Sequence, residues 1–229
     1  MQYKIVIFDI DGVIFEKPEI ARREDNVAAS SWDSLFERLD IYDLHERLKE
    51  LYMRKGFRSY NEWTEAACCV LKAKGLDQKT FEEVINSRKF MDGAAETISR
   101  LSGNDIVTSA VSGSFGALAR RAKSELGIDD TLAHCDFKFD ENGILKDWKL
   151  LATDYKDKVK FVKYLAQLNK VGMKECAYIG DDVNDMAVFE RVGLAIAFNS
   201  YKDKVRAAAD VVIEKKDLRE ILPYLGIKK

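Results

Sequence analysis

An excess of positive charge is missing from this chain: 37 lysines and arginines stand against 39 aspartates and glutamates, a formal net charge of −2. That balance leaves no electrostatic footprint for nucleic acid or for an anionic membrane surface. Long apolar runs are missing too. Ile5–Phe8 and Leu194–Phe198, among the longest, fall far short of the roughly 20 residues a membrane-spanning helix needs. The first residues pass from Ile5-Val6-Ile7-Phe8 straight to Asp9 and Asp11, which predicts no signal-peptide core. Cysteine is sparse, and Cys68, Cys69, Cys135 and Cys176 have neither metal-type nor redox-type spacing. Adjacent Cys68 and Cys69 cannot readily bridge each other, so reduced thiols and a cytoplasmic setting are expected. His45 and His134 are solitary and read as incidental helix or strand residues. Pro18 and Pro223 are the only prolines, and neither repeats nor low-complexity stretches interrupt the chain. What remains is an ordinary globular composition, long enough for one large domain or for a domain with a smaller partner.

Ile5–Phe8 is a short, continuous apolar run, the pattern of a strand covered on both faces. Comparable runs recur at Ile106–Val111, Leu132–Phe139, Cys176–Ile179, Leu194–Phe198 and Val211–Ile213. Helical patterns lie between them: Phe115, Leu118, Ala119, Ala122 and Leu126 share one face, as do Val159, Val162, Leu165 and Leu168. This alternation predicts an α/β fold, a Rossmann-like parallel sheet with helices on both faces. A stretch with Glu141-Asn142-Gly143 at its turn predicts a hairpin over Phe137–Lys149. From Phe15 to Arg88 the alternation breaks into helical stripes, with Ser34-x-x-Glu37 as a candidate capping box. The expected organisation is therefore a core of residues 1–14 and 89–229, with a helical cap of residues 15–88 inserted after the first strand.

Ligands of such sheets bind at the carboxyl ends of the strands. Acidic and glycine-containing stretches sit at those ends: Asp9 after Phe8, Ser112-Gly113-Ser114 after Val111, and Gly180-Asp181-Asp182-Val183-Asn184-Asp185 after Ile179. A carboxylate attacking a dianionic phosphate is repelled unless a divalent cation joins them, and magnesium prefers oxygen ligands. Asp9 and Asp181 suit that role, with Asp9 also the candidate nucleophile. Asp11, two residues on, leans to the same side of an extended chain and can protonate the leaving oxygen, then take a proton from water. Ser112 and the Gly113 amide form a phosphate cradle where a strand passes into a helix, and Ser114 is a candidate helix cap. Lys158 offsets phosphate charge, and Asn184 and Asp185 hold the phosphate, a metal-bound water or the lysine from behind. Each of these residues alone has a bland alternative, such as a turn, a cap or a solvated helix position.

Together Asp9-x-Asp11-Gly12-Val13, Ser112-Gly113, Lys158 and Gly180-Asp181-Asp182-x-Asn184-Asp185 resemble the haloacid dehalogenase superfamily, in particular its phosphoserine phosphatase-like branch. The resemblance runs along the core, including Asp92–Ile98 and Glu214–Leu222. It implies a magnesium-dependent phosphomonoester hydrolase working through an aspartyl phosphate on a small phosphorylated metabolite, phosphoserine first. It also implies that the Asp11 carbonyl joins Asp9 and Asp181 around Mg2+. The chain departs from that branch where substrate is bound. Gly12-Val13 replaces Ser-Thr, Pro18 stands where a glutamate engages the amino group, and Ala67 falls where a carboxylate-binding arginine is expected. Glu16 and Glu19 on one side, and Arg54, Lys55 and Arg58 on the other, are the candidate replacements. Trp32, Tyr60 and Trp63 suit either a pocket wall or the core of the cap. Two alternatives stay open: a phosphotransferase passing the phosphoryl group to an alcohol such as homoserine, and a receiver-like signalling or non-catalytic binding protein.

Overall fold

The computed structural model of the chain describes residues 3–18, 30–151 and 158–228. Its strands are β1 (Ile5–Asp9), β2 (Val107–Phe115), β3 (Asp130–Phe139), β4 (Leu145–Leu150), β5 (Cys176–Gly180), β6 (Leu194–Phe198) and β7 (Val211–Ile213). They form one sheet in the order β4-β3-β2-β1-β5-β6-β7. Every pairing is parallel except the β3–β4 hairpin. The expected α/β architecture is present.

The central strand explains itself by alternation. Val6 and Phe8 join one apolar cluster, while Ile5 and Ile7 join the other. Successive side chains of a strand point to opposite faces, so both faces must be covered. Helices α1 (Ser31–Arg38), α2 (Tyr42–Met53), α3 (Tyr60–Ala73) and α4 (Gln78–Ser87) follow β1, and α5 (Ala94–Ser102) leads into β2. The first face is covered by α5 and α6 (Gly116–Leu126), through Ile98, Leu101, Leu118 and Ala122. The second is covered by α7 (Lys158–Leu168) and α8 (Met186–Phe189), through Val162, Leu165, Val188 and Phe189. A short α9 (Asp203–Ala207) precedes β7. Among the described residues, no helix is long and apolar enough to cross a membrane.

Helices α1–α4 lie beyond the carboxyl end of the sheet and share its first apolar cluster, with Trp32 packed 4.4 Å from Phe115, ring centre to ring centre. One local expectation is corrected. The capping box opening α1 is Ser30 with Asp33, not Ser34 with Glu37. Ser34 lies inside the helix, because the earlier pair already satisfies the free amides.

Candidate active site

Asp9 is the last residue of β1 and shares the parity of Ile5 and Ile7, so it points to the face covered by α7. Lys158 is the first residue of that helix. Its buried ammonium donates to Asp9 Oδ1 at 2.6 Å and to Asp185 Oδ1 at 2.5 Å. The Tyr178 hydroxyl donates to the same Asp185 oxygen at 2.7 Å. Asp185 Oδ2 accepts the backbone amides of Asp181 and Asp182 at 2.9 and 3.0 Å. Asp185 is thus the hub that shapes the loop after β5 and anchors the lysine. Gly180 is required there, since a side chain on it would collide with the Asp185 carboxylate.

Asp9 and Asp181 are brought together because β1 and β5 are neighbours, with Phe8 opposite Ile179. One ligand atom each from Asp9, Asp181 and Asp185 lies within 4.8 Å of the others. Burial raises the Asp9 carboxyl well above the ordinary range, against the pull of Lys158. Burial likewise pushes Asp181 up to about 7, against the pull of Lys17. Both Asp181 oxygens are buried and accept no well-directed hydrogen bond, although the Lys17 ammonium stands in ion-pair contact with Oδ2. Three buried carboxylates against two ammonium groups are short of positive charge. Hard oxygen donors in that condition fit a divalent cation. Gly12, at φ 93°, keeps the backbone close to this point, where a side chain would strike Asp181.

On the other flank, Val111 pairs with Asp9 across β1 and β2, so Ser112 lies one residue beyond the nucleophile candidate. Its buried hydroxyl accepts the Ser114 amide at 2.9 Å, where the end of β2 shifts register against β3 between Ser112 and Phe115. The Ser114 hydroxyl has no hydrogen-bond partner among the described residues, and α6 opens at Phe115 without a side-chain cap. The expectation that Ser114 caps the helix is thereby corrected: the strand continues through it. Asn184 lines the same cavity, its buried Oδ1 likewise without a partner.

Asp11 is the residue whose surroundings sequence reasoning missed most. Its Oδ1 accepts the Ser31 hydroxyl at 2.7 Å and the Arg88 guanidinium at 3.1 Å. Ser31 opens α1 and Arg88 follows α4, so both ends of the helical segment meet at this carboxylate. Lys17, Ser31 and Arg88 belong to no recognisable spacing, and nothing local in the sequence marks them.

Asp9, Asp11, Ser112–Ser114, Asp181 and Asn184 all line one cavity of about 450 Å³, roofed by residues of α1, α2 and α3. Tyr60 of α3 donates its hydroxyl to the Gly113 carbonyl at 2.9 Å, tying roof to floor. The candidate substrate cations are elsewhere. The side chains of Arg54 and Arg58 are 79% and 90% exposed, Arg58 is paired with Glu62, and Lys55 is exposed as well. They sit where α2 ends and the chain turns outward into water. Glu16 lines a neighbouring cavity, and Glu19 lies outside the described residues. His45, expected to be incidental, lines the cavity beside Asp33, while His134 pairs with Thr64 inside the structure.

Over residues 3–193 the chain matches the family model of the haloacid dehalogenase-like hydrolases. It belongs to that hydrolase family. Within it, a phosphoserine phosphatase of Methanocaldococcus jannaschii is 32% identical over 228 residues, covering 97% of each chain. A phosphoserine phosphatase of Archaeoglobus fulgidus is 27% identical over 94% of this chain, which spans 58% of that protein. The solved phospho-aspartyl intermediate analogue of phosphoserine phosphatase superposes with a TM-score of 0.79 at 25% identity, covering 100% of both chains. The chain is thus an enzyme of the phosphoserine phosphatase-like branch of these hydrolases.

Proposed function

We propose that the enzyme hydrolyses phosphomonoesters of small metabolites by way of a phosphoryl ester on Asp9, with Mg2+ held by Asp9, Asp181 and the Asp11 carbonyl. The observation carrying this reading is the Asp9–Lys158–Asp185 cluster at the meeting of strand ends, with Asp9 and the Ser112–Ser114 end of β2 lining one cavity. The cation, when bound, screens the nucleophile from the negative ester and stabilises charge on the phosphoryl oxygens. Asp9 attacks phosphorus, forming the aspartyl phosphate as the ester oxygen departs. Asp11 gives that oxygen a proton and later removes one from the water that attacks phosphorus, breaking the Asp9–phosphoryl bond to release inorganic phosphate and restore the carboxylate. Ser31 and Arg88 both bind its Oδ1, leaving Oδ2 to handle the proton. Lys158 holds Asp9 in place, and the Ser112 hydroxyl and neighbouring amides receive the phosphoryl oxygens.

Residues 15–88 act as the cap that closes the cavity over substrate, with residues 1–14 and 89–229 as the catalytic core. Phosphoserine, the compound in the relatives' names, is the first substrate to assay. The four cysteines are all free thiols, in keeping with action in the cytoplasm. Purified enzyme should release inorganic phosphate from phosphomonoesters only with magnesium present, and Asp9→Asn should lower the rate by at least about 10⁴-fold. An Asp9→Asn protein retaining full activity would falsify the mechanism. Phosphorylated product in place of free phosphate, when an alcohol is supplied, would make the enzyme a transferase on the same residues.

A further inference from the structure

The leaving-group side of the cavity matches no motif and is built unlike the phosphoryl side. Trp32, Tyr52, Tyr60 and Trp63 line it. Tyr60 and Trp63 stack with ring centres 5.2 Å apart, and Trp32 meets Trp63 edge-on at 5.7 Å. In the same wall is fully buried His45, whose Nδ1 lies 3.3 Å from Asp33 Oδ1. Asp33 Oδ1 also accepts the Lys49 ammonium at 2.8 Å and the Tyr42 hydroxyl at 3.1 Å. The imidazole therefore stands within ion-pair range of Asp33 on its Nδ1 side, without a well-directed hydrogen bond to it. His45 Nε2 and Trp63 Nε1 are buried and without a hydrogen-bond partner among the described residues. Leaving such atoms unsatisfied is costly, and a ligand that bonds them would recover that cost.

Charge argues in the same direction. Each lysine lining the cavity is committed to a carboxylate: Lys17 to Asp181, Lys49 to Asp33 and Lys202 to Asp182. On the leaving-group side the carboxylate is Asp33, already held by those donors. An amino-acid backbone would bring an ammonium and a carboxylate to a wall with no uncommitted counter-charge among the described residues. A flat, uncharged group finds ring faces and two waiting polar atoms instead.

We propose that this wall is a ring-binding subsite: the enzyme takes phosphomonoesters whose alcohol carries an aromatic or heteroaromatic ring, with a polar ring substituent satisfied by His45 Nε2 and Trp63 Nε1–H. The proposal rests on the phosphomonoesterase reading of Asp9 and names its substrate class. Asp33 and Lys49 are positioning residues for His45.

The test compares kcat/KM for four primary alkyl esters: ethyl phosphate, phosphoserine, 2-phenylethyl phosphate and 2-(4-hydroxyphenyl)ethyl phosphate. In this set the leaving oxygen is always a primary alkoxide, so differences report recognition of the remainder. The phenyl ester should exceed ethyl phosphate by roughly 10- to 100-fold, from burial and stacking of the ring. The hydroxyl should add about another tenfold. His45→Phe should erase the hydroxyl's advantage while the ring is still preferred, and Trp63→Leu should shrink the ring preference itself, with thermal melting as the check on folding. If either variant does not fold, the wild-type ranking decides alone. Phosphoserine or ethyl phosphate turned over as well as the ring esters would overturn the ring subsite and leave phosphomonoester hydrolysis standing. Folded wild-type enzyme inert on all four would remove the reading of Asp9, and this inference with it.

Discussion

Two buried carboxylate clusters face one cavity from opposite sides, and they are assembled in opposite ways. On the sheet side, Asp9, Lys158, Tyr178 and Asp185 come from widely separated segments that meet at strand ends. On the helical side, Asp33, His45 and Lys49 lie close in sequence, on α1 and α2. Their charge states differ as well. Burial leaves Asp9 and Asp181 raised, short of positive partners. Burial also opposes the charge on Asp33, yet the neighbouring His45 imidazole and the Lys49 ammonium hold its carboxyl well below the ordinary range. A cluster short of cations is prepared to bind one and to do chemistry; a cluster with its charge fully answered is prepared to hold a shape.

Breaking each cluster should separate those roles. Lys158→Met leaves Asp9 and Asp185 buried without their ammonium and should cost about 3–5 kcal/mol of stability, together with loss of turnover. Urea denaturation followed beside a phosphate-release assay tests this, and a loss below about 1 kcal/mol would show the lysine to be dispensable to the cluster.

Behind the helical cluster, His134 on β3 binds Thr64 of α3 through Nε2 at 3.0 Å. Burial lowers its pKa from 6.5 to about 4. The unfolded chain therefore binds the proton first, and this contribution to stability is complete above pH 6.5 and lost as pH falls towards 4. The change amounts to about 3 kcal/mol. Melting curves across that window should show the slope in the wild type and its loss in His134→Phe; the same slope in both would assign the acid sensitivity to other groups.

Asp33→Asn weakens the charge-assisted contacts to His45 and Lys49 and should cost about 2 kcal/mol. Its kinetic signature should be a rise in KM larger than any fall in kcat, the reverse of the Lys158 variant. A kcat loss as deep as that of Lys158→Met would erase the distinction between the two clusters. The smallest expected effect is that of Tyr60→Phe, which removes the hydroxyl bound to the Gly113 carbonyl and should cost about 1 kcal/mol. Hydrogen exchange at the amides following Gly113 should quicken in that variant; unchanged protection would mean that the roof does not steady the loop.

The same contrast explains what the sequence could disclose. Asp9, Ser112 and Asp181 were legible because each follows an apolar run, and parallel strands gather their carboxyl ends at one edge. Lys158 was legible by its place at the start of a helical stripe, between the Ser112 and Asp181 strand ends. The helical side was not. Periodicity gives the apolar face of a helix but not the partner that face will meet, so Lys17, Ser31, Arg88 and the Asp33–His45 pair left no spacing to find. The displaced capping box belongs to the same category. Ser30–Asp33 and Ser34–Glu37 are equally good locally, and the first is the one whose acid also meets His45 and Lys49. Arg54 and Arg58 were chosen for their charge, which says nothing about the direction in which the end of α2 turns.

Asp11 has a tether at each end of the helical segment, Ser31 where it begins and Arg88 where it finishes. Lifting that segment would withdraw both at once, so the proposed proton carrier would be correctly oriented only while the chamber is shut. Such an interlock would protect a phosphorylated enzyme from stray acceptors without a separate sensor, because the part that excludes solvent and the part that arms the acid would be the same piece of chain.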